Sequence, residues 1–297
     1  MDPQPEAVSK ITVPLILERK LRGEKVTCLT AYDYPTARLV DEAGIDMILV
    51  GDSLAQVVLG YDSTIPVTLE EMLHHLSAVR RATRRALLIV DLPYGAYHLG
   101  EQEALRASIR CLKEGGAEAV KIEGGKKRAA LIRRLVDAEI PVMSHIGLTP
   151  QSVHSLGGYR VQGKTLESAM GLLADAEAVE DAGAFALVLE GVPRELAAII
   201  TGRLSIPTIG IGAGPDCDGQ VLVVHDLLGL SFQPRAKFVR SYAHLTDSLR
   251  DAFARFRDDV LAGRYPNDAE SYHWSPSLRE QFEKEVAIKS SGDEFEE

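Results

Sequence analysis

The chain has 297 residues, of which 45% are hydrophobic and 26% are charged. That is enough apolar material to bury a large core, so disorder is excluded for most of the chain. The net charge of −10 argues against nucleic acid or an anionic membrane as the main partner, because both attract basic surfaces. Three scattered cysteines, Cys28, Cys111 and Cys217, and a polar N-terminus without an apolar signal core predict a reducing, cytoplasmic setting with no disulfide framework.

The secondary structure is predicted to alternate between strands and helices. A short helix around residues 14–21 comes first, and helical spacing of apolar residues then predicts helices over 69–82, 166–182, 194–203 and, with a strongly charged face, about 242–262. Eight short apolar runs bounded by turn residues are typical of strands buried on both faces: 26–31, 47–50, 86–90, 119–122, 142–145, 186–189, 208–211 and 221–224. The eighth is ambiguous, because the same residues can begin a helix.

This alternation predicts a parallel sheet, and eight repeats favour a closed (β/α)8 TIM barrel over an open sheet. Asp52, Asp91 and Glu123 end successive strands and are 39 and 32 residues apart. One repeat of a 250-residue barrel takes roughly 31 residues, so this spacing supports a barrel. We therefore predict one α/β domain over residues 1–274, with a short N-terminal helix and a C-terminal helical extension. Residues 275–297 carry seven acids and three bases, which predicts a disordered acidic tail.

The chemistry of a TIM barrel gathers where the carboxyl ends of its strands meet. Asp52, Asp91 and Glu123 follow or end three consecutive strands there, and their charges would repel one another in a shared pocket. A hard divalent cation such as Mg²⁺ removes that repulsion and prefers oxygen ligands. For each acid alone, a helix cap or an arginine pair is the competing interpretation.

Three further charged or titratable residues lie at these strand ends. Lys121 and Glu123 are two apart and share a strand face; Lys121 either holds a substrate carboxylate or pairs with a neighbouring acid. Glu190 follows an apolar run, where a carboxylate suits a general base or a supporting hydrogen-bond partner. His145 is either a group that polarises a substrate oxygen or shuttles a proton, or a structural hydrogen-bonding residue.

Two glycine-rich segments have alternative interpretations. The segment 157–163, GGYRVQG, suits a flexible lid over the pocket or a plain connection. Gly210, Gly212 and Gly214 follow the seventh strand, where barrels often bind phosphate, but a tight turn with close backbone packing explains them equally well.

Ten motifs, taken together, resemble one enzyme family. In chain order they are TAYD (30–33), VGDSL (50–54), DSTIPVT (62–68), DLP (91–93), VKIEGG (120–125), HIGLTPQSV (145–153), GGYRVQG (157–163), VLE (188–190), IGIGAG (209–214) and VHD (224–226). Several long motifs in register are far more specific than any one of them. Over about residues 9–274 the chain resembles the ketopantoate hydroxymethyltransferases, whose fold is also a (β/α)8 barrel.

The resemblance implies a role for each of six residues. Asp52, Asp91 and Glu123 would bind one Mg²⁺ per subunit, and Asp52, Ser53, Asp91 and Lys121 would contact the 2-oxo acid. Glu190 would be the catalytic base. The sequence does not depart from the family pattern at these positions.

The implied reaction transfers a hydroxymethyl unit from the co-substrate 5,10-methylenetetrahydrofolate to 3-methyl-2-oxobutanoate. It gives 2-dehydropantoate through a Mg²⁺-stabilised enolate, in pantothenate and coenzyme A biosynthesis. The resemblance also implies a homo-oligomer, with a decamer of stacked rings as its usual form. The rival enzyme is another Mg²⁺-dependent, enolate-forming barrel of the isocitrate lyase and phosphoenolpyruvate mutase type, although its typical catalytic-cysteine loop is not found around Cys28, Cys111 or Cys217. A barrel that binds a ligand without turnover is the other alternative, and it would need no base at Glu190.

Overall fold

The structure is a computed structural model that describes residues 9–232 and 234–292. The chain divides into two compact units, Met1–Ala243 and His244–Glu297. The division therefore falls about thirty residues before the boundary that the sequence predicted, because the closing helix belongs to the second unit.

In the part of the first unit that the structure describes, eight parallel strands form a closed barrel in sequential order. The last strand pairs with the first, with Gly219 opposite Val26, and this confirms the predicted fold class. The strands are β1 Val26–Thr30, β2 Met47–Val50, β3 Leu87–Asp91, β4 Ala119–Glu123, β5 Val142–Gly147, β6 Ala186–Glu190, β7 Thr208–Ile211 and β8 Gly219–Leu222.

Within the described residues of the first unit, ten α-helices accompany these strands. They are α1 Val13–Arg22, α2 Tyr34–Glu42, α3 Leu54–Val57, α4 Leu69–Ala82, α5 Glu101–Lys113, α6 Ala129–Val136, α7 Val153–Leu156, α8 Leu166–Asp181, α9 Arg194–Arg203 and α10 Val224–Leu228. The bounds of α4 and α9 are those predicted from apolar spacing; α4 begins at a capping box formed by Thr68 and Glu71, which fixes its first turn. The ambiguous eighth segment contains both elements, since β8 ends at Leu222 and α10 begins two residues later.

Alternate strand residues divide between two apolar cores. One core lies between the strands and the surrounding helices and includes Ile48 and Val50. The other contains Met47 and Leu49 with their counterparts on the other strands, and also Ile16 of α1. Because strand side chains alternate between faces, the second core is the barrel interior, and α1 covers its amino-terminal end. The carboxyl-terminal end is left for the polar residues of the site.

The second unit contains α11 Leu245–Leu261 and α12 Pro276–Gly292. The predicted disorder of 275–297 is therefore wrong over α12, and residues 293–297 lie outside the described residues. The physical reason is that this segment has good helix formers and two (i, i+4) ion pairs, Arg279 with Glu283 and Lys284 with Glu280, each of which supports a helix. Within the described ranges, no helix is long and apolar enough to cross a membrane.

Candidate active site at the carboxyl ends of the strands

The predicted site residues meet at the carboxyl-terminal end of the barrel. Asp52 and Ser53 follow β2, Asp91 ends β3, and Lys121 and Glu123 lie on β4. Asp52, Asp91, Lys121 and Glu123 are all buried. Lys121 and Glu123 alternate with Val120 and Ile122, which pack in the outer core, so the two charged side chains face the barrel interior as predicted.

Asp91 connects the residues of three strands. Its Oδ2 accepts a hydrogen bond from the backbone N–H of Asp52 at 3.0 Å, and its Oδ1 lies 2.8 Å from Lys121 Nζ in a buried ion pair. Lys121 thus pairs with a neighbouring acid, which is one of the two roles that the sequence predicted for it. In the part of the chain that the structure describes, neither Asp52, Asp91 nor Glu123 pairs with an arginine, so that competing interpretation is not observed.

His145 on β5 lies between the two glutamates of the site. Its Nδ1 is 3.5 Å from Glu123 Oε1 and 3.4 Å from Lys121 Nζ. Its Nε2 is 3.3 Å from Glu190 Oε2, an ion-pair distance without hydrogen-bond alignment. His145 therefore connects the Glu123 and Lys121 side of the site to Glu190, which keeps 16% of its side chain exposed.

The charges of the site perturb one another strongly. Burial, together with the charges of Asp91 and Glu123, raises the pKa of Asp52 to about 8. Burial and Lys121 act to lower the pKa of His145, but the carboxylates of Glu123 and Glu190 outweigh them and raise it to about 9. Burial also opposes the charge of Lys121, yet Asp91, Glu123 and Asp52 raise its pKa above the usual range. The site therefore has more negative charge than its two cationic groups neutralise.

This excess charge fits a divalent cation. Asp52, Asp91 and Glu123 supply the oxygen ligands that Mg²⁺ prefers, and Glu123 Oε1 is buried without a hydrogen-bond partner. Across the described ranges, however, no three His, Cys, Asp or Glu side chains converge as a ready ligand set. The donor chemistry fits the ion, and the side chains would have to turn toward it.

Gln151, in the turn Pro150–Ser152 that follows β5, connects two of these acids. Its Nε2 donates to Asp52 Oδ2 at 2.9 Å and to the Leu92 carbonyl at 3.0 Å, while its backbone N–H donates to Glu123 Oε2 at 3.0 Å. Its Oε1 accepts from the hydroxyl of Tyr97 at 2.6 Å, and that hydroxyl accepts from the Glu123 N–H at 3.2 Å. The sequence analysis assigned no role to Gln151 or Tyr97. The available signal was that Gln151 lies within the motif HIGLTPQSV, but an uncharged polar residue does not by itself indicate a function.

Ser53 is held by an interaction that the sequence also did not indicate. Its Oγ lies 2.8 Å from the hydroxyl of Tyr32, which is fully buried just after β1. Burial raises the pKa of Tyr32, so the phenol stays protonated and can hydrogen-bond the serine.

Gly147, the last residue of β5, allows the backbone of Glu190 to approach. Gly147 has a φ of +95°, and a Cβ placed on it would lie 2.2 Å from the Glu190 carbonyl oxygen. The same carbonyl accepts from the Leu148 N–H at 2.8 Å. Only glycine satisfies both the positive φ and this contact, so Gly147 fixes the backbone of Glu190, the residue predicted to be the base.

The two glycine-rich segments have packing environments of their own. Gly212 has a φ of +63° and packs against Phe238, and Gly214 packs against Arg194, which agrees with the tight-turn interpretation. The segment 157–163 follows α7, and Gln162 hydrogen-bonds back to the Gly191 carbonyl at 2.9 Å. The structure thus ties one end of this segment to the loop that follows β6.

Comparison with known proteins identifies the family. A family model described as "Ketopantoate hydroxymethyltransferase" matches residues 10–268. The chain is 64% identical over 265 residues to the 3-methyl-2-oxobutanoate hydroxymethyltransferase of Koribacter versatilis (strain Ellin345), covering 89% of this chain and 90% of that one. It is 56% identical to the enzyme of the same name from Trichlorobacter lovleyi (strain ATCC BAA-1151 / DSM 17278 / SZ), covering 89% and 98%.

Solved structures share the fold at much lower identity. A phosphonopyruvate hydrolase in complex with oxalate and Mg²⁺ has a TM-score of 0.58 at 14% identity and covers 94% of this chain and 98% of its own. A 2,3-dimethylmalate lyase of the PEP mutase/isocitrate lyase superfamily has a TM-score of 0.54 at 17% identity, covering 94% and 98%. These neighbours support the barrel alone, whereas the sequence matches extend over the whole site: the chain belongs to the ketopantoate hydroxymethyltransferase family.

Proposed function

We propose that this protein transfers a hydroxymethyl unit from 5,10-methylenetetrahydrofolate to 3-methyl-2-oxobutanoate and forms 2-dehydropantoate and tetrahydrofolate. The observation that carries the proposal is the continuous set of contacts from Asp52 through Asp91, Lys121 and His145 to Glu190. These contacts bring the ammonium group of Lys121, the carboxylate oxygens of Asp52 and Asp91 and the partly exposed carboxylate of Glu190 to one pocket. Family membership supplies the substrate class.

The substrate is bound at the side of the pocket formed by β2, β3 and β4. Lys121 is buried with a raised pKa, so it keeps its charge at neutral pH and can attract the carboxylate of a 2-oxo acid. Ser53, held by Tyr32, offers a hydroxyl to the same group. Asp52, Asp91 and Glu123 would hold Mg²⁺, which when bound supplies a Lewis acid for the 2-oxo oxygen.

Glu190 acts as the base on the opposite side of the pocket. The proton at C3 of the substrate lies beside the 2-oxo group, and Glu190 removes it while His145, 3.3 Å from its Oε2, orients the carboxylate. Gly147 fixes the backbone of Glu190. The deprotonated C3 attacks the methylene carbon of the co-substrate, and one carbon–nitrogen bond of the methylene bridge breaks. Water then displaces the second nitrogen and supplies the hydroxyl of the hydroxymethyl group, while the C3 proton and one proton of water end on the two nitrogens of the departing tetrahydrofolate. Holding base and substrate in this geometry is what lets a weak acid be deprotonated at neutral pH.

Exchange of the C3 proton into D₂O tests this assignment. We expect the protein with Mg²⁺ to exchange the C3 proton of 3-methyl-2-oxobutanoate, as followed by proton NMR, without any folate. Glu190→Gln should still bind substrate and metal but lose at least about a hundredfold in exchange rate, the lower range for loss of a general base. Glu195→Gln, an exposed glutamate in α9, is the matched control and should exchange like the wild type. Full exchange by the Glu190→Gln variant would refute the base assignment.

The cysteines distinguish this proposal from the rival enolate chemistry. Cys28, Cys111 and Cys217 are free and buried, and burial raises the pKa of Cys111 to about 12. A thiol in that state is neither exposed nor ionised, so no cysteine supplies the reactive group that the rival enzymes often use.

We also propose a homo-oligomer, with the decamer implied by the family as its form. Large apolar side chains on the outer helices support this, among them Leu39 at 67%, Met170 at 57% and Ile199 at 59% exposure. Native mass spectrometry measures the subunit number directly, and a monomer at micromolar concentration would contradict the proposal.

A further inference from the structure

A second feature lies beside Glu123. It is a cavity of about 240 Å³ lined mainly by aromatic and cationic side chains. We call it the cationic cavity and define it by Tyr94, Tyr97, His98, Lys127, Arg128 and His154. Glu123 and Gln151 also line it, so it opens directly onto the site described above.

One wall of the cationic cavity is a cluster of three rings, tilted against one another by 45° and 40°. His98 lies between Tyr94 and Tyr97, with centroid distances of 4.6 and 4.4 Å, and Tyr94 is 46% exposed. Burial, with the charges of Arg128 and Lys127, lowers the pKa of His98. The imidazole is therefore neutral at neutral pH, and the wall offers uncharged aromatic faces on which another ring can pack.

The other wall has positive charge that the protein does not neutralise. Lys127 and Arg128 lie in the turn Lys126–Arg128 that follows β4. Of the carboxylates in the described ranges, none forms an ion pair with either residue, and Arg128 Nε is buried without a hydrogen-bond partner. The Arg128 guanidinium lies 5.0 Å from the centre of the Tyr97 ring, a cation–π contact that holds it at the cavity. At the opposite end of the barrel, by contrast, Lys20 forms an ion pair with Asp218 at 2.8 Å.

We propose that the cationic cavity binds the glutamyl carboxylates of the one-carbon donor, which rests on the proposed function. At neutral pH the glutamyl group of a folate carries two carboxylates next to an aromatic p-aminobenzoyl ring. Lys127 and Arg128 match the carboxylates, and the exposed face of Tyr94 matches the ring. The cavity is smaller than the 300–1,000 Å³ typical of a site for a whole drug-sized ligand, so it accepts one end of the donor and leaves the other end free to reach the substrate.

Separate measurement of the two substrates tests the proposal. In Lys127→Gln and in Arg128→Gln we expect KM for 5,10-methylenetetrahydrofolate to rise about tenfold, the change that loss of one charge-assisted contact of roughly 1.4 kcal/mol produces. KM for 3-methyl-2-oxobutanoate and folate-independent C3 exchange should stay within about twofold of the wild type. Arg128→Lys keeps the charge and should recover most of the affinity. Calorimetric titration with tetrahydrofolate measures binding without turnover, and the affinities of the variants should follow the same order.

Lys126→Gln is the matched control. Lys126 lies in the same turn, carries the same charge and is exposed like Lys127, but it does not line the cavity. We expect its KM for the folate to equal that of the wild type. If Lys126→Gln and Lys127→Gln raise this KM equally, the effect is general electrostatic attraction and the proposed site is wrong.

The outcomes separate this inference from the proposed function. If every variant exchanged the C3 proton normally and kept an unchanged KM for the folate, the proposed role of the cationic cavity would be wrong, whereas the proposed function would stand. A wild-type protein that does not exchange the C3 proton would overturn the proposed function, and the inference with it. If Arg128→Gln fails to fold because its contact with Tyr97 is lost, Lys127→Gln still decides the question, since Lys127 is exposed.

Discussion

Gln151 should be required both for stability and for the arrangement of the carboxylates. Gln151→Ala removes the side-chain hydrogen bonds to Asp52 Oδ2, to the Leu92 carbonyl and from Tyr97. A neutral hydrogen bond contributes about 1 kcal/mol and one to a charged group about 1.5–3 kcal/mol, so the free energy of unfolding should fall by about 3 kcal/mol where Asp52 is protonated and by about 3.5–5 kcal/mol where it is ionised. The backbone bond from Gln151 to Glu123 does not depend on the side chain and should persist.

The same substitution should weaken the cation site without removing a ligand. The Gln151 amide lowers the pKa of Asp52 against the opposing effects of burial, Asp91 and Glu123. Without it Asp52 binds a proton more readily and is less well oriented. Loss of such a supporting partner typically weakens metal affinity about 10–100-fold, and we expect a change in that range for Mg²⁺.

Urea unfolding followed by circular dichroism measures the first effect, and calorimetric Mg²⁺ titration measures the second. Gln102→Ala, an exposed glutamine in α5, is the control and should change stability by less than about 0.5 kcal/mol. Tyr97→Phe removes one hydroxyl from the same network and should give an intermediate loss of stability. If Gln151→Ala were as stable as Gln102→Ala, the reasoning that Gln151 holds the two acids together would be refuted.

Two further substitutions test separate parts of the structure. Asp91→Asn should weaken Mg²⁺ binding at least about tenfold, because it removes a ligand charge; an unchanged calorimetric titration, judged against the exposed Asp62→Asn, would refute the ligand assignment. Asp46→Asn tests pH dependence: burial opposes the charge of Asp46, but hydrogen bonds from Thr27 and the charges of Arg85 and Arg19 outweigh it and lower its pKa. The pKa of Asp46 is lower in the folded protein than in the unfolded protein, where it is about 3.9. Asp46 therefore stabilises the folded state above that pH, and the stabilisation is lost as pH falls through the folded-state pKa. The wild type should therefore be more stable than Asp46→Asn at pH 7, and urea unfolding should show the difference shrinking below about pH 4; a constant difference would contradict this.

The sequence alone determined the barrel and the carboxylates at its strand ends. Apolar spacing predicts the bounds of α4 and α9 because helix periodicity is local, and runs such as 47–50 predict strands because a sheet covered on both faces needs continuous apolar residues. The carboxyl ends of parallel strands meet at one end of a barrel, so Asp52, Asp91 and Glu123 could be placed together without a structure. The acidic tail was predicted to be disordered because charge composition does not register the helix-forming residues and spaced ion pairs of α12.

Only the tertiary structure decided which side chains contact one another. Gln151 reaches Asp52 across 99 residues and Glu123 across 28, and no local spacing encodes those pairs. The fit of Gly147 against the Glu190 carbonyl, the place of His145 between two glutamates and the unpaired cations beside a cluster of tilted rings likewise follow from how neighbouring strands and loops pack. The physical reason is that backbone periodicity indicates which face of an element is buried. Hydrogen bonds and ion pairs instead require two atoms to lie within about 3 Å of each other, and only the closed barrel brings those atoms together.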